Sequence, residues 1–324
     1  MKKKMLASFA LVAALSSLTA CSSATEADSS PSGSGVPEIT SLKVGVIPFA
    51  ELAAFYIAID RGLFEDEGLT VEPTQATGGA TIITSLIAGN INFAYSNYVS
   101  VLQAASKGLP LQIVRENDRP GAQAIYALPD SGIANVEDLA GKTIAVNSLG
   151  NIMELTSRAV LEANGVDLDT VEFVEIPPPN MNAALEQGQI DAAWLVEPFI
   201  TLAKQTLDVH IAAEVFDGPT KDLPVAGWVT TDQFAAENPN TVAAFTRAID
   251  AAIQITLDDP QSVKDIMPTY TEIPDAVVAD MSEIAFAPDN DLAKLTDLQR
   301  LMIDFGYYDQ ALDLDELMVP SAGE

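Results

Sequence analysis

The stretch GNINFAYSNYVSVLQAA, Gly89 to Ala105, changes period within four residues. Ile91, Phe93 and Tyr95 alternate with small or polar positions, as in a strand; Val99, Leu102 and Ala105 follow at helical spacing. Between them stand Tyr95, Ser96, Asn97 and Tyr98, an aromatic, a hydroxyl, an amide and a second aromatic. In an open α/β sheet such a handover lies at the carboxyl end of a strand. Ligands bind there, and the next helix presents unpaired N–H groups and the positive end of its dipole.

Outward from this stretch, apolar β-branched runs alternate with helical patterns. LKVGVIPF and LTVEPTQ read as strands, AELAAFYIAIDRG and GGATIITSLIAG as helices ended by Gly62 and Gly89, and LPLQIVRE as a further strand. Short loops between them indicate a parallel α/β sheet. The order recurs about one hundred residues later: Val146 stands where Val46 stood, and Thr170-Val171-Glu172 repeats Thr70-Val71-Glu72. Leu86-x-x-Gly89-x-Ile91-Asn92-x-Ala94-Tyr95 aligns with Leu185-x-x-Gly188-x-Ile190-Asp191-x-Ala193-Trp194. The signature ends in an aromatic both times. The expected architecture is therefore two similar α/β lobes, residues 41–131 with 225–324 and residues 132–224, joined by two crossovers that act as a hinge. Facing strand ends would bring Tyr95 and Trp194 to opposite walls of one cleft.

The N-terminus is read apart from the fold. Lys2 to Lys4 precede an apolar run and the motif Leu18-Thr19-Ala20-Cys21, the pattern of a signal segment over residues 1–20 that is too short to span a membrane. The motif resembles a bacterial lipobox, which implies lipid on Cys21; the alternative is an ordinary signal with a chance cysteine. Cys21 is the only cysteine, so no disulfide is available to it within the chain. Residues 21–40, rich in Ser, Gly and Pro, read as a flexible tether with a reach of roughly 25 Å. The formal charge is −30, and −33 once the three signal lysines are subtracted. This excludes nucleic acid and anionic lipid as partners for a basic face. No later run approaches the length of a transmembrane helix.

With these residues assembled, the chain resembles the substrate-binding lipoproteins of bacterial ABC importers, in the group that binds nitrate, sulfonates, taurine and thiamine-pyrimidine precursors. AIDRGLFEDEGLTVE, GGATIITSLIAGNINFA, AASKGLPLQIV, VEDLAGKTIAV and ALEQGQIDAAWLVEPF carry the resemblance in order along nearly the whole mature chain. Asn92 departs from the aspartate common there, a change expected to alter only a strand-end hydrogen bond. The resemblance implies a type II periplasmic-binding-protein fold: a hinge that closes on a small solute and presents it to an ABC permease with its ATPase. Such a protein is a monomer without a cofactor.

Several positions are candidates for the cleft. Phe49 and Glu51 follow the first strand. Glu51 beside a helix N-terminus favours the dipole, and if it enters the cleft it favours a ligand bearing a donor or a positive group. Gly78 and Gly79, after Thr77, would let a ligand approach backbone N–H groups, or simply form a tight turn. Ser96 or Asn97 caps the third helix, and Tyr95, Ser96, Asn97 and Tyr98 are all placed at the site. In the second lobe Asn147, Ser148, Gly150 and Asn151 correspond to the loop after the first strand, and Asn180 caps the helix after Pro177. Trp194 faces Tyr95, and Trp228 shields the hinge side. Glu197-Pro198 matches the family's Glu-Pro element, although a capping acid before Pro at the first helical position would explain it structurally.

Arg115 and Arg119 are the only basic residues near a first-lobe strand end, with ion pairing to carboxylates as the alternative to ligand binding. A nitrate or sulfonate would then depend on helix N-termini and neutral donors, while the acidic rims equally suit a neutral or amino-bearing heterocycle. An enzyme on this fold would need a lysine for a Schiff base and usually a histidine. The single histidine, His210, lies in an apolar run and reads as a sheet residue. There is no phosphate loop, metal-ligand cluster or nucleophile–base pair in the pattern.

Overall fold

The computed structural model describes residues 35–76 and 78–319; Cys21, Thr77, the signal segment and the first part of the tether lie outside the described residues. Ten strands form two five-stranded sheets. They are β1 Ser41–Val46, β2 Thr70–Gln75, β3 Phe93–Asn97, β4 Leu111–Asp118, β5 Ala124–Ala127, β6 Thr143–Val146, β7 Glu172–Glu175, β8 Ala192–Leu195, β9 His210–Glu214 and β10 Ala226–Thr231. The first sheet runs β2-β1-β3-β10-β4 and the second β7-β6-β8-β5-β9. The two orders are the same, with one strand of the other lobe's sequence neighbourhood inserted at the fourth place in each.

The repeat is visible in the bonds. Asn92 Oδ1 accepts from Lys43 N at 2.8 Å, and Asp191 Oδ2 accepts from Thr143 N at 2.9 Å, so amide and carboxylate do the same work at the two equivalent strand starts. Gly89 and Gly188 follow the helices Gly79–Ile87 and Pro178–Glu186 with φ of 70° and 64°, the left-handed position that ends a helix and that glycine adopts without a Cβ clash. In β1, a Cβ on Gly45 would stand 2.6 Å from Ile91 Cδ1, so the strand passes its neighbour only because the side chain is missing.

Two expectations change. The sheets are mixed rather than parallel: β10 runs antiparallel between β3 and β4, and β5 antiparallel between β8 and β9. Each inserted strand has just crossed from the other lobe, so it enters from the end at which its neighbours leave. For the same reason Ala124–Ala127, assigned from sequence to the first lobe, belongs to the second sheet, and the first crossover is residues 119–123 rather than the chain near 131. Residues 215–225 connect β9 to β10, which pairs in the first sheet between β3 and β4. The helix Pro239–Asp258 packs on Ala53–Asp60. Phe245 stacks on Phe93 at 4.0 Å and meets the edge of Trp228 at 5.4 Å.

The tether ends sooner than residue 40. Glu38 lies against the N-terminus of Pro239–Asp258, where its carboxylate accepts from Asn240 N and Thr241 N at 3.2 and 2.9 Å. Asn238, the residue that precedes this helix, gives no side-chain cap, so Glu38 satisfies those orphan donors from two hundred residues away. Among the described residues no helix is long and apolar enough to cross a membrane.

Candidate functional site

The carboxyl ends of both sheets converge on one cavity. From the first lobe come Ile47 and Phe49 after β1, Glu51 in the turn Ala50–Leu52, Tyr95 and Asn97 from β3, and Asp118 at the end of β4. The second lobe supplies Asn147 after β6, Asn151, Ile152 and Met153 at the start of the helix Ile152–Ala163, Trp194 from β8 and Val196 just after it. The crossovers complete the wall with Gln123 and Val225, and the start of β10 adds Ala226. The lobes are in contact around it. Gln103 Nε2 donates to Gly150 O at 3.0 Å, Ala50 N to Glu197 O at 3.2 Å, and Gln205 Nε2 to Asp280 Oδ2 at 2.8 Å. The cavity's volume is about 40 Å³, room for roughly three waters at 10–15 Å³ each.

Strand alternation sorts the sequence candidates. Tyr95 and Asn97 lie on one face of β3 and reach the cavity; Ser96 points the other way and is fully buried beside Gly79. Trp194 in β8 and Val196 just after it reach the cavity in the same manner. Of the sequence candidates, Phe49, Glu51, Tyr95, Asn97, Asn147, Asn151 and Trp194 are brought together on this cavity.

The other candidates are elsewhere. Tyr98 is buried with its ring against Gly227, and Trp228 is buried between Phe55 and Phe245, behind Tyr95 rather than at the cavity. Gly78 stands across from Ser148, 2.6 Å from its Oγ to a would-be Cβ, so these two residues form a lobe-to-lobe contact. Gly79 packs on Ser96 and Asn97, and the carbonyl of Gly150 receives Gln103. Asn180 is exposed within the helix Pro178–Glu186, whose cap position is Pro177, so it neither caps nor lines. Glu197 precedes the cap Pro198 and is buried, accepting from Thr201 N and Oγ1 at 3.1 and 2.9 Å and from Ser282 N at 3.1 Å. It ties the second lobe to the segment that follows the helix Asp275–Asp280.

Sequence reasoning missed Asp118 and Gln123. The signal was there in part: β4 reads LQIVREND, and the four consecutive polar residues at the carboxyl end of an apolar strand, Arg115 to Asp118, are all buried. Asp118 Oδ1 accepts from Tyr95 OH at 2.6 Å and from Asn117 Nδ2 at 3.2 Å. The same amide donates to the carbonyl of Glu51 at 2.8 Å, and Asn117 Oδ1 accepts from Trp228 Nε1 at 3.1 Å. Gln123 Nε2 donates to Glu51 Oε1 at 3.0 Å. Across the cavity Asn151 Oδ1 caps its helix through Met153 N and Glu154 N, its amide donates to Asn147 Oδ1, and Trp194 Nε1 donates to Thr156 Oγ1 at 3.2 Å. The indole N–H is therefore spent, and Trp194 offers the cavity its ring.

Burial pushes the carboxyl of Glu51 up to about 7, against the hydrogen bonds from its backbone and from Gln123 and with the charge of Glu197 adding to the rise. Asp118 is also raised, first by burial and then by the charge of Glu51. Among the described lining residues there is no lysine, arginine or histidine. Arg115 and Arg119 are engaged elsewhere, as the ion-pair alternative has it. Arg115 donates to Asp250 and to the carbonyls of Ala287 and Pro288, while Arg119 pairs with Glu116, Asp289 and Asp291. His210 begins β9, with Nε2 2.7 Å from the carbonyl of Ile133. Among the described residues no group of side chains could hold a metal ion.

A ligand cavity at facing strand ends of two like sheets, with two crossovers behind it, is the plan of a hinged binding protein. The profile of the NMT1/THI5-like family matches residues 50–263. The chain belongs to that family. It is 28% identical over 196 residues to a taurine-binding periplasmic protein of Escherichia coli, covering 59% of each chain. To the riboflavin-binding protein RibY of Chloroflexus aurantiacus it is 27% identical over 283 residues, covering 84% of this chain and 78% of that one. The fold matches that of the alkanesulfonate-binding protein SsuA from Xanthomonas axonopodis pv. citri, solved with MOPS bound, with a TM-score of 0.73 at 18% identity over 87% of this chain and 98% of the other. These family relatives are solute-binding proteins, and the two-lobed architecture is theirs.

Proposed function

We propose that this protein is an extracytoplasmic solute-binding lipoprotein, held to the cell membrane by lipid on Cys21. It captures a small molecule between its lobes and delivers it to an ABC permease with its ATPase. The observation that carries this reading is the cavity itself, lined from both sheets and sealed by hydrogen bonds that join one lobe to the other. A ligand that touches both walls only when they meet shifts an open–closed equilibrium toward the closed form, and the closed form is what a permease can distinguish. The protein acts as a monomer, without cofactor and without nucleic acid. A binder rather than an enzyme is supported by the lining, which supplies neither a lysine for a Schiff base nor a histidine for proton transfer.

Small-angle scattering on the purified protein, before and after removal of co-purifying solute by partial unfolding and dialysis, tests capture by closure. The radius of gyration should rise on stripping and fall again when the extracted solute is returned. A profile that never changes refutes closure. Replacement of Cys21 by serine should release the protein from the membrane fraction; retention there would refute the lipid anchor.

A further inference from the structure

We infer that the cavity is built for a small organic cation, with a protonated amine or amidinium group held between Glu51 and Asp118 and its carbon body against Phe49 and Trp194. This rests on the capture reading and assigns its ligand class.

Two buried carboxyl oxygens at the cavity residues lack hydrogen-bond partners. Glu51 and Asp118 are 3% and 0% exposed, and both line the cavity. Each has one oxygen engaged and one without any partner: Glu51 Oε1 receives Gln123 and Asp118 Oδ1 receives Tyr95 and Asn117, whereas Glu51 Oε2 and Asp118 Oδ2 receive nothing. Buried carboxyl oxygens are normally paired, and two orphans on residues that line one small cavity are best satisfied by a donor that enters between them. Ammonium and amidinium groups carry several N–H donors and the charge that two acids lack nearby.

The remaining walls discriminate in the same direction. An oxyanion would need free donors, and three of the N–H groups at the two helix starts are already taken by side-chain caps. Asn97 accepts from Ser100 N at 2.9 Å, and Asn151 accepts from Met153 N and Glu154 N at 3.0 and 3.3 Å. The nearest guanidinium groups are bound to Asp250, Glu116 and backbone carbonyls. An anion placed here would face two carboxyl groups and no cation. A cation would meet those two groups and the faces of Phe49 and Trp194, whose rings attract positive charge.

The test exploits the two tryptophans. Trp194 lines the cavity and Trp228 lies just behind Tyr95, so their emission reports occupancy. The full-length protein, stripped of co-purifying solute, is titrated with matched pairs of one shape and opposite charge: acetamidinium against acetate and benzamidinium against benzoate, with nitrate and methanesulfonate as further anions. The expected result is a saturable change with an amidinium and at least tenfold weaker response to its carboxylate twin. Glu51→Gln and Asp118→Asn, each folded by circular dichroism, should weaken amidinium binding tenfold or more. The charge discrimination in the unaltered protein decides the matter even if a variant fails to fold. Saturable binding of nitrate, methanesulfonate or benzoate, with scattering that shows closure, would overturn the cation assignment and leave capture intact. No response to any amidinium also overturns the assignment; only if the solute extracted from the native protein fails to close it as well does the capture reading fall.

Discussion

Replacement of Glu51 by glutamine should change how stability depends on pH, because the carboxyl is buried without a counter-charge. Burial takes it from an ordinary 4.5 to about 7 in the folded protein. Between those values the folded state holds a proton that the unfolded chain has released, so stability falls as pH rises through this window. At 1.36 kcal/mol per pH unit the interval corresponds to a loss on the order of 3 kcal/mol between pH 4.5 and 7. Glutamine keeps the shape and the acceptor for Gln123 but cannot ionise, so that loss should disappear, together with the part of the rise at Asp118 that the Glu51 charge causes. Glu116, also raised to about 7 and chiefly by burial, is present in both proteins and cancels in the comparison. Glu38 acts in a separate range. Its own burial effect is outweighed by the hydrogen bonds from Thr241 and Asn240, which leave it at about 2, so its contribution is lost only as pH falls below 4.5. The assay is urea unfolding at pH 5 and pH 8 for the two proteins, with thermal midpoints alongside. Wild type should lose about 3 kcal/mol more than the variant, or roughly 6 °C in midpoint for a body of this size. An equal loss in both would show that Glu51 is paired or solvated, and would refute the description of an uncompensated buried acid.

Other substitutions probe closure and packing. Gly78→Leu places a side chain where Ser148 Oγ would stand 2.6 Å from the new Cβ, so the lobes should be held apart: scattering should show a larger radius of gyration and solute binding should weaken at least tenfold, with helical content unchanged. Trp228→Phe removes the donor to Asn117 Oδ1 and leaves a buried carbonyl oxygen unpaired, which should cost about 1–3 kcal/mol in urea unfolding. Gly45→Ala inserts a methyl group 2.6 Å from Ile91 Cδ1 and should cost about 1–3 kcal/mol by overpacking, read as a lower unfolding midpoint.

The repeat was legible in the linear chain because it is made of local rules. A glycine that ends a helix, a polar residue that pins the next strand start and an aromatic at that strand's far end recur at matching spacing, and the bonds of Asn92 and Asp191 are the same bond twice. From that repetition follow the two like lobes and the placement of Tyr95 and Trp194 on one cavity. The sequence also determined that Arg115 and Arg119 had many carboxylates available to them. It could not say which of four neighbours Tyr95, Ser96, Asn97 and Tyr98 would face a ligand. That choice is made by the pleat and by β10, which pairs with β3 from a position 130 residues away and draws Trp228 in behind Tyr95. Nor could it supply Asp118 and Gln123, because their place depends on where β4 stops and on which sheet receives β5. Local periodicity specifies elements and their faces; only tertiary pairing decides which strand ends meet, and so brings two acids from distant parts of the chain into one small space without a cation.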